Sequence, residues 1–235
     1  MSQVASPTAA LAGIPAGLQA QGVWAGRRQL FVRFAAEGET ATMYTADALA
    51  NEVRRGTTRS AFHSISISGR DPLGNIEYLC AAFEKLSLQI PVMLDCDGQR
   101  PAEIEQLRKV VKLTQVTLDG ATFDMYGDRA FESLRVAADA DMEHALVLGV
   151  DERTTDSQLL RAVERAHATS ESTMVVMHPA TGTPVDRDRR WMTLFERAAA
   201  LHRDVRLALR LPPPTGMRLA RYGDRNRYFQ VVLLV

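Results

Sequence analysis

The chain has 235 residues, 46% of them hydrophobic and 24% charged, which suits one folded domain with a substantial core. Lys plus Arg equals Asp plus Glu at 28 each, so no net field draws the chain to nucleic acid or to an anionic membrane. Two cysteines, Cys80 and Cys96, are too few for a disulfide framework or for a cluster held by Cys alone. The first residues, MSQVASPTAALAGIPAG, lack a basic region followed by an apolar run, and no stretch approaches the ~20 apolar residues of a membrane helix. A cytoplasmic protein without membrane insertion is expected.

In chain order, residues 1–15 read as a flexible N-terminal segment and 16–235 as one domain. Short runs rich in Val, Ile and Leu predict strands at 29–34 (QLFVRF), 63–68 (HSISIS), 90–95 (IPVMLD), 115–119 (QVTLD), 145–150 (ALVLGV), 173–178 (TMVVMH) and 205–209 (VRLAL). Several are continuous apolar runs, as strands covered on both faces should be. Helical patterns lie between them. The segment NIEYLCAAFEKL carries Ile76, Leu79, Cys80 and Phe83 on one face, which directs Cys80 toward the core. Pro101 opens RPAEIEQLRKVV, Thr155 or Asp156 caps TTDSQLLRAVERAHA, and DRDRRWMTLFERAAALH places Trp191, Leu194, Phe195 and Ala198 together. The alternation predicts an α/β fold with parallel strands and right-handed helical crossovers. About six βα units fit a partial (β/α)6 barrel, and the eight of a closed barrel do not fit.

In such folds a ligand sits at the C-terminal ends of the strands. The candidates there are Arg33, Arg70, Asp71, Asp95, Asp97, Asp119 and His178. The four aspartates can form a polar or metal-binding pocket, or can cap the helices that follow, which is the commoner use. His178, between an apolar strand and Pro179, suits a buried hydrogen-bonded imidazole better than a base. The last third is rich in arginine, at 203, 206, 210, 218, 221, 225 and 227, and reads as a solvated face or a phosphate-binding run. The apolar tail RYFQVVLLV should pair as a strand or pack between subunits.

These segments together resemble the radical SAM superfamily and, within it, the 7-carboxy-7-deazaguanine synthase family. GLQAQGVWAGRRQLFVRFA (17–35) is similar to an opening in which Leu-Gln-Gly-Glu-Gly precedes Gly-Arg and a Phe-x-Arg strand. SISISGRDPLGN resembles a Thr-Gly-Gly-Glu-Pro-Leu motif, and IPVMLDCDG a Leu-Glu-Thr-Asn-Gly segment. QVTLDGA, VVMHPATG and DVRLALRLPPPTGMR follow in the family's order. The resemblance implies the radical SAM type of partial barrel and a homodimer.

It also implies a Cys-x3-Cys-x2-Cys motif after the first strand, whose thiolates hold a [4Fe–4S] cluster. Counted without a gap from Arg33, those positions are Glu37, Ala41 and Tyr44. One carboxylate, a methyl and a phenol do not replace three thiolates, so no cluster and no radical cleavage of SAM are expected. Other family positions differ too. The Gly-Gly-Glu-Pro element that holds the SAM amino group becomes Gly69-Arg70-Asp71-Pro72, and the substrate-binding Gln and Glu become Gln19 and Gln21. A magnesium-binding Thr becomes Ala46, and a terminal Gln-x-His-Lys becomes Arg210-Leu211-Pro212-Pro213. Arg33 is retained, as an anion clamp or a structural ion pair. The expectation is a cluster-less pseudoenzyme without catalytic residues, without a resident cofactor or metal, and with a protein partner. The alternative is an enzyme or sensor that binds SAM, a pterin or a nucleotide in the old pocket without radical chemistry.

Overall fold

The computed structural model describes residues 6–119, 122–150, 154–179, 185 and 189–208, without the side chains of 123–126. The arginine-rich end beyond 208, the apolar tail and positions 210–213 lie outside the described residues. Seven strands follow one another in a parallel run: β3 (Arg28–Phe34), β5 (Ser64–Gly69), β6 (Val92–Cys96), β7 (Leu113–Asp119), β8 (Glu143–Val150), β9 (Met174–Pro179) and β10 (Val205–Leu207). Between them run α1 (Ala46–Arg59), α2 (Ile76–Phe83), α3 (Pro101–Ile104), α4 (Phe123–Asp139), α5 (Asp156–Thr169) and α6 (Arg189–Leu201). The protein is thus α/β, with a mostly parallel sheet and helical crossovers.

Two departures from the sequence expectation concern short elements. Residues 8–13 do not belong to a flexible segment. They form β1 (Thr8–Gly13), which pairs antiparallel with β3 on one side and with β4 (Thr42–Thr45) on the other. With β2 (Ala16–Leu18) hydrogen-bonded to β3, the N-terminal end of the sheet is antiparallel. The helix expected over 100–111 stops at Ile104, and a 3-10 turn at Glu105–Leu107 follows. Tight bonds from Arg108 N to Glu105 O and from Val110 N to Leu107 O bring the chain round to β7.

Strands laid down in sequential order with right-handed crossovers put every helix on the same face of the sheet. The packing agrees. Leu30, Val32, Ile65, Ile67, Leu94, Val116, Leu118, Leu146 and Leu148 are buried in one large cluster with Leu49 and Val53 of α1, Leu134 of α4, Leu159 and Val163 of α5, and Trp191 and Leu194 of α6. Each fully buried aliphatic side chain there stabilises the fold by about 2 kcal/mol.

The alternate residues face the other way and form a different surface. Gln29, Arg33, Ser64, Ser66, Ser68, Asp95, Gln115, Thr117 and His178 are all buried, although all are polar. The loop between β2 and β3 covers part of this surface. Gln19 brackets that loop, its N–H donating to Arg27 O while its carbonyl accepts from Gly26. Val23 N donates to Gln115 Oε1 at 3.2 Å, and Val23 and Trp24 pack on a second small cluster of Met93, Leu113 and Ala145. Trp24 also meets the His63 ring edge-on, 5.0 Å between centroids. Gly22 adopts φ +79° where the loop touches Gln115, and a Cβ there would lie 1.8 Å from Gln115 Oε1. The sheet residues of both faces are therefore buried, as the sequence suggests, and part of one face is covered by a loop over polar side chains.

One buried histidine gives the fold a testable acid sensitivity. His144 sits in β8, and its Nδ1 lies 2.9 Å from Met142 O. Burial holds its pKa below the usual 6.5, with the hydrogen bond to Met142 O opposing that effect. The folded ring stays neutral in a range where the unfolded ring takes up a proton. The unfolded state then binds more protons, so stability falls as pH drops through about 6.5 toward the folded value. The thermal midpoint of wild type should fall more steeply than that of His144→Leu between about pH 7 and pH 5.5. Parallel curves would contradict this.

Candidate functional site

The C-terminal ends of β3, β5, β6 and β7 enclose a cavity of about 70 Å³, lined by Gln21, Arg33, Gly69, Arg70, Asp71, Pro72, Asp95, Cys96, Asp97 and Thr117. At about 10–15 Å³ per water this is room for roughly five waters or one small polar group. The sheet register explains the convergence. Arg33 pairs with Ser68 across β3 and β5, and Asp95 pairs with Gln115 across β6 and β7, all on the polar face.

The carboxylates differ in their partners. Asp95 is buried and accepts from Thr117 Oγ1 at 3.1 Å. Asp97 accepts from Gln99 N, yet burial raises its pKa above the ordinary carboxylate value, and the nearby Asp71 carboxylate adds to the rise. Asp71 stands in the left-handed region at φ 42°, which Asp tolerates better than most residues. Its Oδ1 accepts from Gly74 N and starts the turn at Pro72–Asn75. The same carboxylate takes both forks of Arg100, Nε to Oδ1 at 2.7 Å and Nη2 to Oδ2 at 2.8 Å. Arg70 stays exposed at the rim, its N–H donating to Phe34 O. Gly69, at φ +100°, allows that approach, since a Cβ would lie 2.2 Å from Phe34 O. Cys96 is buried, and burial pushes its thiol far up, so it is not a thiolate nucleophile.

Three of the expected residues lie apart from the cavity. Asp119 Oδ1 accepts from Thr122 N and Oγ1, a turn that leads into α4 without capping it. His178 is buried in β9 in register with Gly149, on the polar face. Gln19 is buried in the covering loop, and its Nε2 has no hydrogen-bond partner. Cys80 is half-buried rather than fully in the core, its Sγ 3.9 Å from Gln106 O.

The loop after β3 is organised by its own residues. Ala36 O accepts from Glu39 N, closing a turn with Glu37 at its tip and Gly38 at φ +77°. Glu39 then holds the loop twice, with Oε2 accepting from Ala36 N at 3.0 Å and Oε1 from Arg33 Nη2 at 2.9 Å. The side chains of Arg33 and Glu39 are only 10% and 12% exposed. Arg33 is therefore an ion-pair partner of this loop as well as a wall of the cavity. Glu37 and Ala41 are exposed, while Tyr44 belongs to β4 opposite Ala9 and packs against the large core. None of the three lines the cavity. The next residues build α1: Thr45 Oγ1 caps it by accepting from Ala48 N, and Ala46 is buried without a donor atom.

The resemblance would call for a [4Fe–4S] cluster at this loop, and these residues do not fit one. An exposed carboxylate, an exposed methyl and a core-packed phenol supply neither three soft ligands nor a common centre. Among the described residues no group of three or more His, Cys, Asp or Glu side chains is arranged to hold a metal ion. Glu39, Thr117 and Gln115, which hold Arg33, Asp95 and the covering loop, are positions that the sequence reading does not single out. The alternation in QVTLD could have flagged the last two as facing the same way as Asp119.

No helix among the described residues is long and apolar enough to cross a membrane. Comparison with protein-family models gave no match, and a search of curated proteins found no relative.

Glu39 supplies the prediction for this site. Glu39→Gln takes the Glu39 charge away from the nearly buried Arg33 guanidinium and weakens a charge-assisted hydrogen bond, which should lower stability by about 1.5 kcal/mol. Denaturant unfolding of the variant checks this, and a loss under about 0.5 kcal/mol, the scale of an ordinary surface change, would contradict it.

Proposed function

We propose that this chain is a cluster-less pseudoenzyme of radical SAM architecture, a partial (β/α)6 barrel similar to 7-carboxy-7-deazaguanine synthase. It works by binding, as a scaffold or regulator for a protein partner, and as a homodimer. The observation that carries this reading is the loop at 35–45. It keeps the length that a three-cysteine motif needs, while the turn at Gly38 and the Arg33–Glu39 pair hold it without a cluster. Consecutive parallel strands with all helices on one face support the half-barrel form. A cavity of about 70 Å³ is far below the several hundred Å³ of a drug-sized ligand pocket, which favours a scaffold over a retained SAM or pterin site.

A second reading rests on the cavity itself. Arg33, Arg70, Asp95 and Asp97 meet around a polar space, and they can hold a small charged group of SAM, a pterin or a nucleotide. This is the enzyme or sensor alternative, with no radical step.

Both readings predict that anaerobic incubation with iron and sulfide leaves the protein without stoichiometric cluster and unable to cleave SAM reductively. A brown, iron-loaded protein that breaks SAM would overturn them together. Thermal-shift measurements with SAM, S-adenosylhomocysteine, pterins and nucleotides separate the two. The scaffold predicts no shift. A ligand at a hundredfold over its Kd adds about 2.7 kcal/mol of stability, and such a rise lost in Arg70→Ala would establish the second reading.

A further inference from the structure

Away from the cavity, two histidines are brought together at the ends of α5 and α6. His202 follows the last residue of α6 and is buried, its N–H donating to Ala198 O. Its Nε2 contacts Thr173 O, and a carbonyl only accepts, so Nε2 carries the proton and Nδ1 is left with a lone pair. That Nδ1 lies 3.3 Å from Nδ1 of His167, an exposed residue in the last turn of α5. The rings meet at 70° with centroids 5.5 Å apart.

We infer that His167 and His202 form a two-histidine site for a divalent transition metal ion of the zinc class. Four features support it. Metal–nitrogen bonds of about 2.0–2.1 Å in tetrahedral geometry put two ligand nitrogens about 3.3–3.4 Å apart, the spacing of this pair. The Nε2–H of His202 is given to a backbone carbonyl, which fixes the tautomer and orientation of a ligating imidazole. Both rings stand at helix C-termini, where the backbone dipoles favour a cation. His167 is exposed, so an ion can enter from solvent and keep water at its other positions. On binding, the proton now on Nδ1 of His167 moves to the other nitrogen of that ring, and both Nδ1 atoms become ligands. The nearest acid along the chain, Asp204, is held by Arg206 at 3.0 and 3.2 Å and is not needed.

The test is calorimetric titration of Zn²⁺ into the full chain, with His167→Gln and His63→Gln alongside. One zinc per chain is expected, weakened by at least about tenfold in His167→Gln and unchanged in His63→Gln. Gln at 167 keeps an amide N–H that can donate to Nδ1 of His202, so the metal-free fold of that variant is retained. As a check independent of any substitution, Cu²⁺ bound to wild type should show two coordinated nitrogens in its paramagnetic resonance spectrum. Absence of zinc binding to wild type, equal affinity in His167→Gln, equal loss in His63→Gln, or a single nitrogen on copper would each overturn the assignment.

Discussion

A sheet wound in one direction gathers its helices on one face, and the rest of this molecule follows from how the opposite face is covered. Helices bury the Leu, Ile and Val of the outer face in the ordinary way. Among the described residues the opposite face carries no helix, and the Gln19–Arg27 loop lies over part of it, pinned by Gln115 and by Val23 and Trp24. Polar residues survive there because most of them find partners. Gln29 donates to Ser64 Oγ at 2.7 Å, Thr117 donates to Asp95, and Arg33 to Glu39. Where the covering loop ends, the polar row opens into the small cavity at the C-terminal strand ends.

The loop after β3 carries the same logic into the question of function. A motif of three cysteines derives its order from the iron it binds. Here the sequence Ala36-Glu37-Gly38-Glu39 closes on itself, and the carboxylate two residues past the turn tip pairs with the nearly buried Arg33 guanidinium. Tyr44 contributes to core packing. The strand it occupies adds an antiparallel edge to the sheet and ties the loop to β1. The loop is held by its own residues.

Much of this was legible in the sequence, for identifiable reasons. All seven parallel strands carry Val, Ile or Leu on the helix side, where burial demands them, even in the Ser-Ile alternation of β5. The elements missed are TAALAG, AGL and TMYT, whose Ala, Gly and Thr carry weak strand preference and which become strands only by pairing with β3 and with each other. The convergence of Arg33, Arg70, Asp71, Asp95 and Asp97 followed from their places at strand ends. Asp119 was equally well placed, yet it turns to Thr122, and nothing in the sequence separates it from Asp95. Glu39 was invisible because its role depends on a turn that brings it back six residues to Arg33.

The central claim is that residues 36–45 are ordered by the protein alone. Hydrogen–deuterium exchange on metal-free, ligand-free protein tests it directly, at the Glu39 amide bonded to Ala36 O and the Ala36 amide bonded to Glu39. The account predicts slowed exchange at both, unaltered when iron, sulfide and SAM are added. Fast exchange that becomes slow only on their addition would contradict it.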